Sequence, residues 1–134
     1  RSNGENYTVT IPEEIEMAVS YFNENYNTKI SVAQYAESLH ISTNWFIRNF
    51  KQHMKMSPAQ YLLSLRMVNA QSLLENTDYS VGEIAEIVGY DNQLYFSRVF
   101  KKEYGISPAQ YRKRAENQSA APMESDVGEI TRED

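Results

Sequence analysis

The sequence predicts an all-α protein of seven helices, with two helix-turn-helix lobes joined by a long central linker helix. Three observations carry that reading. Residues 31–61 recur at 80–111, offset by 49 positions before a turn and by 50 after it. The repeat keeps caps, core aromatics and cations together. Ser31, Val32, Ala36 and Glu37 pair with Ser80, Val81, Ala85 and Glu86, and Phe46, Arg48, Phe50 and Lys51 pair with Phe96, Arg98, Phe100 and Lys101. Finally, Ser57-Pro58-Ala59-Gln60-Tyr61 returns unchanged as Ser107-Pro108-Ala109-Gln110-Tyr111. Self-similarity of this kind marks two copies of one supersecondary unit.

The elements follow in order. Residues 1–11 are polar and aperiodic, the end of a linker. Pro12 suits a first helical turn, and Glu13, Glu14 and Glu16 favour its positive end. Ile15, Ala18, Val19 and Phe22 follow three- and four-residue spacing, so this helix buries one stripe and stops near Tyr26. Ser31 with Gln34 reads as a capping box for a helix to about Leu39, with Val32, Tyr35, Ala36 and Leu39 inward. A turn at His40-Ile41-Ser42 precedes a helix capped by Ser42 or Thr43 and continuing to about Lys55. Ser57 and Pro58 open the linker helix, residues 58–75, about 27 Å long, with Tyr61, Leu62, Leu65, Val68 and Leu73 among its apolar positions. Thr77-Asp78 breaks it. Ser80 with Glu83 caps the next short helix, Gly89-Tyr90-Asp91 turns, and residues 92–103 form a helix stopped at Gly105. A last helix runs from Pro108 to about Ala115. Beyond it, residues 116–134 turn to Ser, Ala, Pro and acids without an apolar stripe and predict a disordered acidic tail. The two lobes are therefore residues 12–56 and 77–115.

The net charge of −5 would argue against a polyanionic partner if it were evenly spread, but it is not. Residues 31–115 hold ten Lys and Arg against seven Asp and Glu, whereas residues 1–30 hold two against five and residues 116–134 one against six. Local charge on a docking face governs attraction to phosphate. Absence of cysteine removes disulfides and thiolate metal sites and fits a reducing cytosol. No apolar run approaches the roughly 20 residues that span a bilayer, and no signal-peptide pattern opens the chain. The first residue is Arg rather than Met, as in a fragment of a longer protein.

The chemistry lies on the helix after each turn. At 100° per residue, Phe46 and Phe50 point to the core with Met54 at the edge. Asn44, Arg48, Lys51 and Lys55 gather on the opposite face, bordered by Ile47. The second copy buries Phe96 and Phe100 and turns Arg98 and Lys101 outward with Ser97 beside them. Asn92 and Gln93 stand at the helix start, the end that makes most base contacts when such a helix enters a major groove. Arg can take both acceptors of guanine, Asn or Gln can pair with adenine, and an apolar side chain can meet the thymine methyl. Lys51, Lys55, Lys101 and Lys102 suit phosphate better than bases, or are simply solvated. Trp45 and Tyr95 occupy matching flanks that either pack on the protein or touch the DNA backbone. Ser31, Thr43 and Ser80 sit where helix-end amides could hold a phosphate.

These residues resemble the DNA-binding domain of AraC/XylS-family bacterial transcription regulators over residues 12–115. The second copy carries the more specific signature: Ile84-Ala85, Val88-Gly89-Tyr90, the run from Tyr95-Phe96-Ser97-Arg98 to Lys102, Gly105, Ser107-Pro108 and Tyr111-Arg112. The resemblance implies seven helices and a sequence-specific grip on successive major grooves of double-stranded DNA that controls transcription initiation. Its base readers would be Asn44, Ile47 and Arg48, then Asn92, Gln93, Leu94, Ser97 and Arg98. It also implies a cytoplasmic, nucleoid-associated protein without cofactor or metal. Its partners would be RNA polymerase and an N-terminal effector-binding, dimerisation or receiver domain. Three positions depart from the family pattern: His40 stands where Gly is common, and Ile47 and Leu94 replace polar groups on the reading faces.

Two other classes remain to be set against this one. The two histidines, His40 and His53, lie in different elements, and no Gly-rich phosphate loop, H-E-x-x-H or G-x-S-x-G pattern occurs, which argues against an enzyme. A protein-interaction module could use the same helix pairs without DNA; steep salt dependence of binding separates the two.

Overall fold

Ser or Asn precedes every helix but the first, and each such side chain accepts an amide of the following turn. The computed structural model describes residues 11–128, with side chains to residue 118. Among the described residues the helices are α1 (Glu13–Asn25), α2 (Val32–Ser38), α3 (Thr43–Met54), α4 (Pro58–Asn76), α5 (Val81–Ile87), α6 (Gln93–Tyr104) and α7 (Pro108–Gly128). Ser31 Oγ accepts from Gln34 N at 3.2 Å, Ser42 Oγ from Trp45 N at 3.0 Å and Ser57 Oγ from Gln60 N at 3.1 Å. Ser80 and Ser107 form reciprocal boxes, each also donating its own amide, to Glu83 Oε1 at 2.8 Å and to Gln110 Oε1 at 3.0 Å. These bonds satisfy amides that a helix leaves without internal partners.

Two compact units result, Arg1–Arg66 and Met67–Asp134, and the division falls within α4. In the first unit Ile15, Ala18 and Phe22 of α1, Ala36 of α2, Phe46 and Phe50 of α3 and Leu62 of α4 form the core. The Phe22 ring meets Phe46 nearly edge-on at 6.4 Å, and Phe50 meets Tyr61 likewise at 5.6 Å, the tilted geometry that aromatic quadrupoles favour. In the second unit Met67, Ala70 and Leu74 of α4 are buried, as are Ile84, Ala85, Val88, Tyr90, Phe96 and Phe100. No single stripe runs the length of α4. Tyr61, Leu62 and Leu65 serve the first core, while Val68, another of its apolar positions, is 57% exposed.

Each unit also carries an arginine that the helical periodicity did not single out for this task. Arg66, near the middle of α4, donates from Nε to Tyr26 O at 2.8 Å and from Nη2 to Thr28 O at 2.8 Å. Arg112 of α7 donates from Nε to Leu74 O at 3.2 Å and from Nη2 to Thr77 O at 3.1 Å. In both units the closing helix thus sends a cation to carbonyls at the C-terminal end of the opening helix, where the helix dipole is negative.

The backbone repeats where the side chains do not. His40 has φ 62° and its counterpart Gly89 has φ 106°; Lys55 has φ 67° and its counterpart Gly105 has φ 84°. The tight turn and the end of α3 therefore demand left-handed residues in both copies, and the first copy meets that demand with L side chains. One helix end differs from expectation. α7 does not stop near Ala115 but continues as helix to Gly128. Ala115, Glu116 and Gln118 have helix propensity without an apolar stripe, so the periodic pattern fades before the helix does. The expected linker end at residues 1–10 and the last part of the acidic tail, residues 129–134, lie outside the described residues.

His40→Gly should raise stability by about 1 kcal/mol, because the left-handed penalty removed exceeds the entropy that glycine adds to the unfolded chain. Urea unfolding with an unchanged slope would record it as a higher midpoint. A second expectation concerns Tyr111, whose hydroxyl donates to Glu75 Oε2. Burial, reinforced by the Glu75 carboxylate, pushes this phenol up to about 12 from 10.0. The folded state then holds a proton that the unfolded chain releases near pH 10, so this contribution is complete below pH 10 and lost as pH rises towards 12. Tyr111→Phe should lose that part of the alkaline fall in stability, as followed by circular dichroism between pH 9 and 12.

Candidate nucleic-acid interface

Two fully buried phenylalanines one turn apart hold α3 by one side. Phe46 and Phe50 are both 0% exposed, with their rings 5.7 Å apart. The opposite side of the helix must then project outward, and Asn44, Arg48 and Lys51 are exposed. Ile47, at the border, is 37% exposed. α6 repeats the arrangement: Phe96 and Phe100 are 0% exposed at 6.0 Å, and Arg98, Lys101 and Lys102 are exposed. Among the described residues, neither Arg48 nor Arg98 has a protein hydrogen-bond partner, so each guanidinium keeps its full fork of donors for a ligand.

A sequence profile described as a helix-turn-helix domain matches residues 35–114. The chain also aligns over 76% of its length, with TM-score 0.68 and 27% identity, to 91% of a solved transcriptional regulator with an AraC-type DNA-binding domain from Chromobacterium violaceum. The chain belongs to the AraC-type helix-turn-helix family. This is a family of transcription regulators, not of enzymes. The raffinose operon transcriptional regulatory protein of Pediococcus pentosaceus is 37% identical over 81% of this chain, which spans only 39% of that relative. The solved DNA-binding domain of AdpA, in complex with a target DNA, is 30% identical with TM-score 0.73, over 83% of this chain and 98% of that one.

Within this AraC-type domain the two reading helices differ at their first turns. Leu94 is 71% exposed and Tyr95 57%. Trp45, the counterpart of Tyr95, is half-buried and packs on the core of the first unit. Tyr95 instead leans towards Tyr90, with centroids 5.8 Å apart, and is 57% exposed.

Several expected contacts take other places. Asn92 is the N-cap of α6, and its Oδ1 accepts from Tyr95 N at 3.0 Å. The cap uses one lone pair of the amide oxygen, while the residue stays exposed with its Nδ2 donors outside the cap bond. The hydroxyls of Ser31 and Ser80 are engaged in caps, and the Ser80 amide is bonded to Glu83. Thr43 is the first residue of α3 and half-buried. Lys55 closes α3 in a left-handed conformation and is exposed, leaving the helical face on which periodicity placed it. Ser97 is half-buried beside exposed Arg98, and Gln93 is exposed. Among the described residues no group of His, Asp or Glu could hold a metal ion, and no helix is long and apolar enough to cross a membrane.

The anchors and the arginines separate in a stability measurement. Phe96→Ala should cost about 3–5 kcal/mol by emptying a filled core site, whereas Arg98→Ala should stay within about 0.5 kcal/mol. Denaturant titration of both variants tests this; a large loss for Arg98→Ala would make it a structural residue.

Proposed function

We propose that this chain is the sequence-specific DNA-reading part of a bacterial transcription regulator. α3 and α6 enter successive major grooves of one duplex, with α4 as the linker helix between the reading lobes, and the bound protein controls transcription initiation. The observation that carries this is the twice-repeated helix with buried phenylalanines on one side and an unpaired arginine on the other. The AdpA domain solved with a target DNA supports it. Arg48 and Arg98 are the principal base readers, joined by Asn44 and Ile47 in the first lobe and by Gln93, Leu94 and Ser97 in the second. Lys51, Lys101 and Lys102, with Thr43 and Tyr95 at the helix starts and Lys55 at the end of α3, neutralise or bond phosphates.

Because the chain spans about two fifths of the raffinose regulator, the signal would be sensed elsewhere, in an effector-binding, dimerisation or receiver domain, and RNA polymerase would be the second partner. Such a regulator works in the bacterial cytoplasm on the nucleoid. A reading as a protein-interaction module draws on exposed Ile47, Leu94 and Tyr95, which lie on the same faces as the arginines.

Sites selected from random duplexes should be asymmetric, with two protected segments about 34 Å apart, one helical turn, in footprinting. Affinity should fall steeply with salt, and Arg98→Ala should cost about 1–3 kcal/mol and blur one base position. Weak dependence on salt would favour the protein-interaction reading, and an equal loss on all sequences would make Arg98 a phosphate contact.

A further inference from the structure

Gly82, the second residue of α5, has no left-handed backbone to accommodate, since the positive-φ glycines are Gly89 and Gly105. It also spares no tight helix crossing. The nearest atoms that a methyl group there would meet are Gln93 Oε1 at 2.8 Å, Gln93 Cδ at 3.6 Å and Ser80 Oγ at 3.9 Å. A glycine inside a helix is unfavourable relative to alanine. What the missing Cβ provides is a seat for one side chain, that of the first residue of α6. The other copy supports this as a matched pair: by the offsets of 49 and 50, Gly82 corresponds to Ala33 and Gln93 to Thr43. Where the methyl is present, the opposing side chain is short; where it is absent, the opposing side chain is a long amide.

We propose that Gly82 is a positioning residue for base readout: by lacking a Cβ it seats Gln93 against the first turn of α5, and that seat sets which base pair α6 accepts next to Leu94. This rests on the DNA-reading function above. Gln93 is exposed, and its amide has no hydrogen bond to the protein among the described residues, so donor and acceptor are both available to a base edge. The atom in the way of a methyl at position 82 is the far end of a flexible side chain. Adding that methyl therefore moves the Gln93 amide and leaves the backbone of α5 in place.

The test is site selection from a random duplex pool, followed by titration on single-base variants, with the wild-type chain, Gly82→Ala, Gln93→Ala and the double variant. Gly82→Ala should keep or raise the melting temperature and shift preference about tenfold at one base pair of the α6 half-site, leaving other positions alone. In the Gln93→Ala background the same methyl should change preference less than about twofold. Gly82→Ser should behave like Gly82→Ala, and Ala33→Gly in the first unit should alter no preference, because Thr43 has no amide to reseat. An undiminished effect in the Gln93→Ala background, a uniform loss on every sequence, or a Gly82→Ala preference identical to wild type would each overturn the proposal. A wild-type chain that selects no site at all would instead bring down the DNA-reading function beneath it.

Discussion

A helix can offer one face to a ligand only if its other face is held, and in both units the holding is done by a pair of phenylalanines one turn apart. Phe46 and Phe50 pack among Phe22, Tyr35 and Tyr61; Phe96 and Phe100 pack among Tyr90, Tyr104 and Tyr111. Fixing these rings removes rotation about the helix axis. Residues two positions away then have a defined direction, and the arginines at 48 and 98 inherit it. The cationic face is a consequence of the apolar one.

The duplication shows which features the architecture requires and which each copy may vary. Left-handed backbone recurs at the turn and at the end of the reading helix in both units, whether the residue is Gly or not. Serine caps recur too, and so does an arginine from the closing helix reaching carbonyls of the opening one. The first turns of α3 and α6, by contrast, have diverged. One presents Asn44 beside a packed Trp45; the other presents Leu94 and Tyr95 to solvent, with Gln93 laid over Gly82. The fully buried anchors, Phe46 and Phe96, come only after these positions, so the first turns vary without emptying either core.

The arginine clamps explain how short helices are kept in place. α2 and α5 have seven residues each, too few to be stable alone. Their cores contribute little more than Ala36 in one case and Ile84 with Ala85 in the other. Charged donors on the carbonyls of Tyr26 and Thr28, and of Leu74 and Thr77, tie down the chain that leads into each short helix and fix where its capping serine begins.

Sequence alone determined what depends on neighbours within one or two turns: the capping serines, the phenylalanine and arginine faces at period 3.6, and Gly105 as a stop. Each follows from local sterics or from the helical repeat, so no distant contact had to be known. Only tertiary structure decided that Asn92 turns its oxygen inward as a cap, that Val68 faces solvent on a helix shared by two cores, and that Trp45 packs while Tyr95 does not. It also decided which carbonyls Arg66 and Arg112 reach, 35–40 residues away in the chain. The seat of Gln93 on Gly82 belongs here as well, since a side chain and a backbone 11 positions apart meet only once the turn between them has folded. Periodicity specifies which way a residue points on its own helix; what it meets there is set by packing.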